Sequence, residues 1–135
     1  MERAGAPGEK CTVTTNEQIV QQFIKCWSTL DVDRIVDFFA EDGVYHNMPL
    51  KPVAGRLQLR GFIAAFLKDW ATTEWETVNL ASAGPLVFAE RIDRIRVGDK
   101  TIELPCCGVF ELRDGKIGIW RDYFDMNSYV QALEK

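Results

Sequence analysis

Apolar residues recur with two different periods along this chain, and the change from one to the other divides it. Up to about residue 70 they return every three or four positions. Ile19, Val20, Phe23, Ile24 and Trp27 share one face of a helix. Thr14-Thr15-Asn16-Glu17, just ahead of them, fits a capping box at its start. Asp31 can cap a second, short helix with Ile35, Phe38 and Phe39 on its inner face, and Asp42-Gly43 is expected to end it. Residues 44–48 read as a short extended segment running into Pro49. Leu59, Phe62, Ile63, Phe66, Leu67 and Trp70 mark a third, strongly amphipathic helix.

From about residue 75 the period becomes two. Four strands are predicted, over residues 75–81, 86–97, 101–112 and 116–124. Ala83-Gly84-Pro85, Gly98-Asp99 and Asp114-Gly115 separate them, and turns this short favour antiparallel hairpins. Asp125 can cap a last helix carrying Met126, Tyr129, Val130 and Leu133 on one face. Helices first, then a meander, then a helix is an α+β order. The expected architecture is a curved, mainly antiparallel sheet wrapped around the N-terminal helices, forming a cone with a deep apolar pocket. Residues 1–13 are expected to be a flexible tail, and residues 14–135 a single domain.

Composition narrows the function classes. The net charge of −4 argues against a nucleic-acid binder. No apolar run approaches membrane-spanning length. The polar N-terminus lacks the apolar stretch of a signal peptide, so a cytoplasmic location is expected. The four cysteines, Cys11, Cys26, Cys106 and Cys107, do not form a disulfide framework and read as free thiols. With His46 as the one histidine, a His-rich metal site is impossible, and no carboxylate or cysteine spacing suggests a mixed one. There is no nucleophile elbow, Gly-rich phosphate loop or dinucleotide fingerprint. Catalysis, if present, is expected to use carboxylates, Arg, Tyr and Asn, with neither cofactor nor metal.

Strand parity then places candidates. Arg91, Asp93 and Ile95 share one face of their strand; so do Leu104, Cys106, Gly108 and Phe110 on the next, and Trp120, Asp122 and Phe124 on the last. Charges on such apolar faces are costly unless paired, and Arg91 between Asp93 and Asp122 satisfies all three. A purely structural ion-pair network explains that pattern as well as a catalytic one does. Tyr45 and Asn47, two apart in an extended segment, face the same way and can hold a water; ordinary loop hydrogen bonding is the competing explanation. His46 points away from them and reads as a surface or packing residue. Ile24, Trp27, Phe66, Trp70, Trp75, Ile95, Leu104, Cys106 and Phe124 are the candidates for an apolar pocket wall, or simply for core.

Tyr45-His46-Asn47-Met48-Pro49, Glu90-Arg91-Ile92-Asp93, Cys107-Gly108-Val109-Phe110 with Asp114-Gly115-Lys116, and Trp120-Arg121-Asp122-Tyr123-Phe124-Asp125 together resemble the limonene-1,2-epoxide hydrolase family. The resemblance runs from about Glu17 to Leu133 and extends, at the level of fold, to the nuclear-transport-factor-2-like and SnoaL-like proteins. It implies that Asp122 is a general base on a water that Tyr45 and Asn47 also hold. It implies that Asp93 protonates the epoxide oxygen and that Arg91 bridges the two aspartates. The expected partners are a small apolar epoxide, water and a second copy of the chain. Direct attack of water predicts inversion at carbon and a trans diol from a cyclic epoxide. The rival functions are a ketosteroid-isomerase-like or polyketide-cyclase-like enzyme, and a binding module for a small apolar ligand.

Overall fold

A computed structural model describes residues 15–134. The expected tail at residues 1–13 lies outside the described residues, as does Cys11. Helix α1 spans Asn16–Cys26 and buries Ile19, Val20, Phe23 and Ile24. Its cap lies one residue later than Thr14. The Thr15 hydroxyl accepts from the Gln18 amide at 3.1 Å, and the Gln18 side chain accepts from the Thr15 amide at 2.9 Å. A 3₁₀ turn over Trp27–Thr29 leads to α2 (Val32–Val36), whose first amides donate to the Asp31 carboxylate. Strands β1 (Phe39–Asn47) and β2 (Val53–Ala54) precede α3 (Arg56–Leu67). Strands β3 (Thr72–Ala83), β4 (Leu86–Val97), β5 (Lys100–Arg113) and β6 (Lys116–Tyr123) follow, and α4 (Met126–Glu134) ends the described chain.

The six strands form one sheet in the order β2-β1-β6-β5-β4-β3. β1 runs parallel to β6, and every other pair is antiparallel. The hairpin joining β5 to β6 has a two-residue loop in which Asp114 (φ 51°) and Gly115 (φ 78°) are both left-handed. That geometry matches the strand twist and explains the Asp-Gly pair.

One sequence expectation fails here. Asp42-Gly43 does not end a helix; both residues lie within β1. The β1–β6 register shifts between Phe39 and Val44, so the strand is irregular where the turn-forming residues stand. Phe39, expected on the inner face of α2, instead opens β1, fully buried. Local turn chemistry lost to pairing with a strand far along the chain, where Phe39 meets Ile117 and Val44 meets Ile119.

The inner face of the sheet packs on α1. Phe23 meets Phe39, Phe110 and Trp120 edge-on, at centroid distances of 5.5, 5.9 and 5.0 Å. On β4, Val87, Ala89, Arg91, Asp93 and Ile95 all point inward, as strand parity requires. The same alternating face therefore carries its charged groups between two apolar clusters, a larger one that includes Val87 and Ala89 and a smaller one that includes Ile95.

Candidate active site

Three neighbouring strands place the charged cluster. β4 supplies Arg91 and Asp93, β5 lies beside it, and β6 supplies Asp122. Arg91 is completely buried. Its Nε and Nη2 donate to Asp93 Oδ1 and Oδ2 at 3.0 and 2.9 Å. Its Nη1 and Nη2 donate to Asp122 Oδ1 and Oδ2 at 3.0 and 2.9 Å. One planar guanidinium thus holds both carboxyls in a fork geometry that a lysine cannot reproduce. The guanidinium also lies over the Trp75 ring, 4.7 Å from its centroid.

Gly108 makes the room for this. A Cβ at that position would stand 2.8 Å from Arg91 Nη1 and 2.9 Å from both Phe110 Cε1 and Trp120 Nε1. The glycine lies directly opposite Asp122 on β6, so the strand that separates the two aspartate-bearing strands has no side chain where the guanidinium must cross it.

β1 adds the remaining polar groups. Its parallel register sets Tyr45 beside Trp120 and Asn47 beside Asp122. Tyr45 stacks on Trp120 with centroids 4.1 Å apart and ring planes within 3°. The Asn47 carboxamide oxygen is buried and accepts no hydrogen bond from the described residues. Such an acceptor is matched to a water or a polar ligand atom. His46 points elsewhere, with Nε2 at 2.9 Å from the Leu50 carbonyl oxygen.

The cluster opens on a cavity of about 70 Å³, room for a few water molecules. Tyr45, Asn47, Asp93 and Asp122 form its polar end. Of the sequence-predicted wall, Phe66, Trp70, Trp75, Ile95, Leu104 and Phe124 line it. Ile24, Trp27 and Cys106 do not. Ile24 and Trp27 belong to the core, Trp27 lying behind Trp75 in a 4.4 Å stack. Cys106 packs against the Arg91 guanidinium, with Sγ 3.1 Å from Nη2. Helical spacing shows which face of α1 is apolar but not how deep that face lies. Three lining residues, Leu50, Met126 and Tyr129, are additional to the expected wall. The signal for two of them was present, since Met126 and Tyr129 lie on the apolar face of α4. Tyr129 also accepts a hydrogen bond from Trp70 Nε1 at 3.3 Å, which ties α4 to the cavity wall.

Electrostatics separates the titratable groups. Burial raises the Asp93 carboxyl above its ordinary value of 3.8, while Arg91 pulls the other way and Asp122 adds to the rise. Burial likewise pushes the Tyr45 phenol well above 10, so it stays protonated and able to donate. Arg91 keeps its proton because the two aspartates more than offset its desolvation. A single positive charge faces two carboxyls, so charge balance in this apolar place calls for one proton between them.

Known proteins resemble this chain in sequence and in fold. Residues 14–135 match the family described as limonene-1,2-epoxide hydrolase catalytic domain. The chain is 28% identical over 114 residues to epoxide hydrolase EphG of Mycobacterium tuberculosis, covering 84% of this chain and 76% of that one. It superposes on the structure of a Mycobacterium tuberculosis epoxide hydrolase of the same type with a TM-score of 0.76 at 26% identity, covering 87% and 88% of the two chains. A protein with a ketosteroid-isomerase-like fold from Catenulispora acidiphila, 21% identical, superposes with a TM-score of 0.78 over 88% of this chain and 93% of that one, a likeness of fold alone. The fold is that of the nuclear-transport-factor-2-like and SnoaL-like proteins, among which are cyclases and isomerases. Fold therefore leaves the chemistry open, whereas the match over residues 14–135 spans all five polar site residues, and by it the chain belongs to the limonene-1,2-epoxide hydrolase family.

Proposed function

We propose that this protein hydrolyses an apolar epoxide to a vicinal diol by direct attack of water. The observation that carries the reading is Arg91, fully buried and bound to both Asp93 and Asp122 at the polar end of an apolar cavity.

Epoxide opening needs a nucleophile at carbon and a proton for the departing oxygen. Asp122, Tyr45 and Asn47 converge on the place where a water would be held. Asn47 offers a free carboxamide oxygen to it and Tyr45 a phenol proton. Asp122 takes a proton from that water as its oxygen bonds to the epoxide carbon. The carbon–oxygen bond breaks and Asp93 protonates the oxygen released. Burial supports Asp93 as the acid, because it keeps the proton on a carboxyl that would otherwise lose it. Afterwards Asp122 is protonated and Asp93 ionised, so one proton passing from the first to the second restores the site. Arg91 holds both groups throughout. Positioned acid and base groups typically contribute about 10²–10⁴-fold each.

The mechanism has no covalent intermediate, and attack opposite the breaking bond gives inversion, hence a trans diol from a cyclic epoxide. The wall of Phe66, Trp70, Trp75, Ile95, Leu104 and Phe124 suits a hydrocarbon substrate. The outer face of the sheet exposes Val78, Phe88 and Tyr123, which supports the family expectation of a homodimer through that face. Sedimentation of the purified protein tests the dimer.

The reaction is tested by incubating the protein with limonene-1,2-epoxide and cyclohexene oxide in ¹⁸O-water under single-turnover conditions. The expected result is ¹⁸O in the diol, absent with Asp122→Asn. Unlabelled diol in the first turnover would indicate oxygen delivered by a carboxylate and overturn direct attack. A folded protein forming no diol from these or a wider epoxide panel would point to a binder.

A further inference from the structure

The indole donors of the cavity wall are both engaged, and one hydroxyl is not. Trp75 Nε1 donates to Thr73 Oγ1 at 2.9 Å, and Trp70 Nε1 donates to the Tyr129 hydroxyl oxygen at 3.3 Å. Trp70 is held in its turn by stacking on Phe66, with centroids 5.9 Å apart and ring planes 7° apart. The Tyr129 oxygen thus has a donor, while its own proton has no acceptor among the described residues. A hydroxyl carries one donor besides its lone pairs, so this one is left for a ligand or a water. Tyr129 is half-buried and lines the cavity.

The sheet register says which part of the cavity it faces. On the inner face Asp122 stands opposite Gly108, Asp93 opposite Leu104 and Ile95 opposite Ile102. Tyr129 packs on the cluster of Ile95, Ile102 and Leu104. It therefore faces the part that lies past Asp93 as seen from Asp122. The wall there is aromatic and aliphatic, and no lysine or arginine is among the lining residues. A lone donor in such a place suits an uncharged oxygen. A carboxylate would be desolvated there with no cation to pair with it.

We propose that Tyr129 is a specificity-determining residue whose hydroxyl donates to an uncharged oxygen acceptor carried by the epoxide away from its three-membered ring. The substrate class is then an epoxide with a hydrocarbon body and one remote carbonyl, ether or hydroxyl oxygen. Trp70 holds the phenol oxygen and so orients the donor. The inference rests on the epoxide-hydrolase reading and narrows its substrate.

Matched substrates test it. 5,6-Epoxyhexan-2-one and 1,2-epoxyhexane differ only by a carbonyl in place of a methylene; 6,7-epoxyheptan-2-one and 1,2-epoxyheptane repeat the comparison one carbon longer. For at least one pair, the ketone-to-alkane ratio of kcat/KM is expected to fall about 3- to 10-fold in Tyr129→Phe, the usual effect of losing one neutral hydrogen bond. The alkane epoxides should be turned over alike by both proteins, since the ring and its packing remain. An unchanged ratio for both pairs would overturn the proposal. If the wild-type protein turns over no epoxide, the epoxide reading fails, and affinity decides the role of Tyr129. The diols 5,6-dihydroxyhexan-2-one and hexane-1,2-diol are then titrated against tryptophan fluorescence, since Trp70 and Trp75 line the cavity. A wild-type preference for the ketone that Tyr129→Phe loses would support the hydroxyl contact. Equal preference in the two proteins, or no binding of either diol, would overturn it.

Discussion

Two arginines three residues apart on β4 each bind two carboxylates, one on either face of the sheet. Arg94 points outward, donating to Glu76 on β3 and Glu103 on β5 at 2.9 Å each, with its side chain 39% exposed. Arg91 points inward, bound to Asp93 and Asp122 at nearly the same distances with its side chain fully buried. The bonding pattern is alike and the consequence is not. Water and salt screen the outer set, and such exposed pairs contribute little. At the inner set desolvation competes with Coulomb attraction, raises Asp93 and leaves one proton to be placed. On the proposed mechanism, an arginine between two carboxylates serves proton transfer only where the sheet removes it from solvent.

The largest contrast lies in turnover. Asp93→Asn and Asp122→Asn are each expected to lower kcat/KM for an apolar epoxide by about 10²–10⁴-fold with the fold retained. Glu76→Gln and Glu103→Gln on the outer face should leave it unchanged. Steady-state kinetics with circular dichroism checks both, and full activity in either aspartate variant would sink the acid–base assignment.

Stability should separate the arginines next. Arg91→Met strands two buried carboxyls and is expected to cost about 3–5 kcal/mol. Urea unfolding measures it. Arg94→Met should leave the midpoint nearly where it was, most closely so in high salt, where the outer pairs are screened in the parent protein too.

A smaller effect is expected from the space beside the guanidinium. Gly108→Ala puts a methyl 2.8 Å from Arg91 Nη1. Displacing the bridge should lower kcat by up to about 10²-fold. Gly84→Ala, in a surface turn with nothing within 4 Å of its added Cβ, should leave kcat alone. Equal kcat for the two variants would show that the bridge tolerates displacement.

The subtlest test is pH. Asp93 holds its proton more tightly folded than unfolded. Between its ordinary 3.8 and the raised folded value the native state therefore binds more protons than the unfolded chain. Its contribution to stability is complete below that window and is lost as pH rises through it. Activity dependent on protonated Asp93 should fall over the upper part of the same range. Asp93→Asn should flatten this part of the stability curve, as followed by thermal unfolding at several pH values; an unchanged slope would remove Asp93 as its source.

Much of this comparison was legible without coordinates. Period-two alternation located β4 to the residue and put Arg91 and Asp93 on its inner face, because side chains must alternate along an extended chain. Turn chemistry set the hairpins for an equally local reason. What failed was whatever a distant partner decides. β1 extends through Asp42-Gly43 because β6 pairs with it, and β2, two residues long, has too short a pattern to read. The Thr15 cap within Thr14-Thr15-Asn16-Glu17 is a different, local matter, since both threonines can cap and the helix start chooses between them.

The sequence by itself therefore determined the order of elements other than β2, the α+β class, the inward parity of Arg91, Asp93 and Asp122, and, through its motifs, the family. Those properties follow from backbone periodicity and from residues read in place. Only the tertiary structure decided that Arg91 reaches both aspartates, that Gly108 makes room for it, and that Tyr45 and Asn47 join them through a parallel pairing. It also decided which apolar residues are wall and which are core: Trp27 went behind Trp75, Cys106 went to the guanidinium, and Leu50, Met126 and Tyr129 joined the lining. Apolar character is a property of a residue, but depth, desolvation and the company of other side chains belong to the packed chain as a whole.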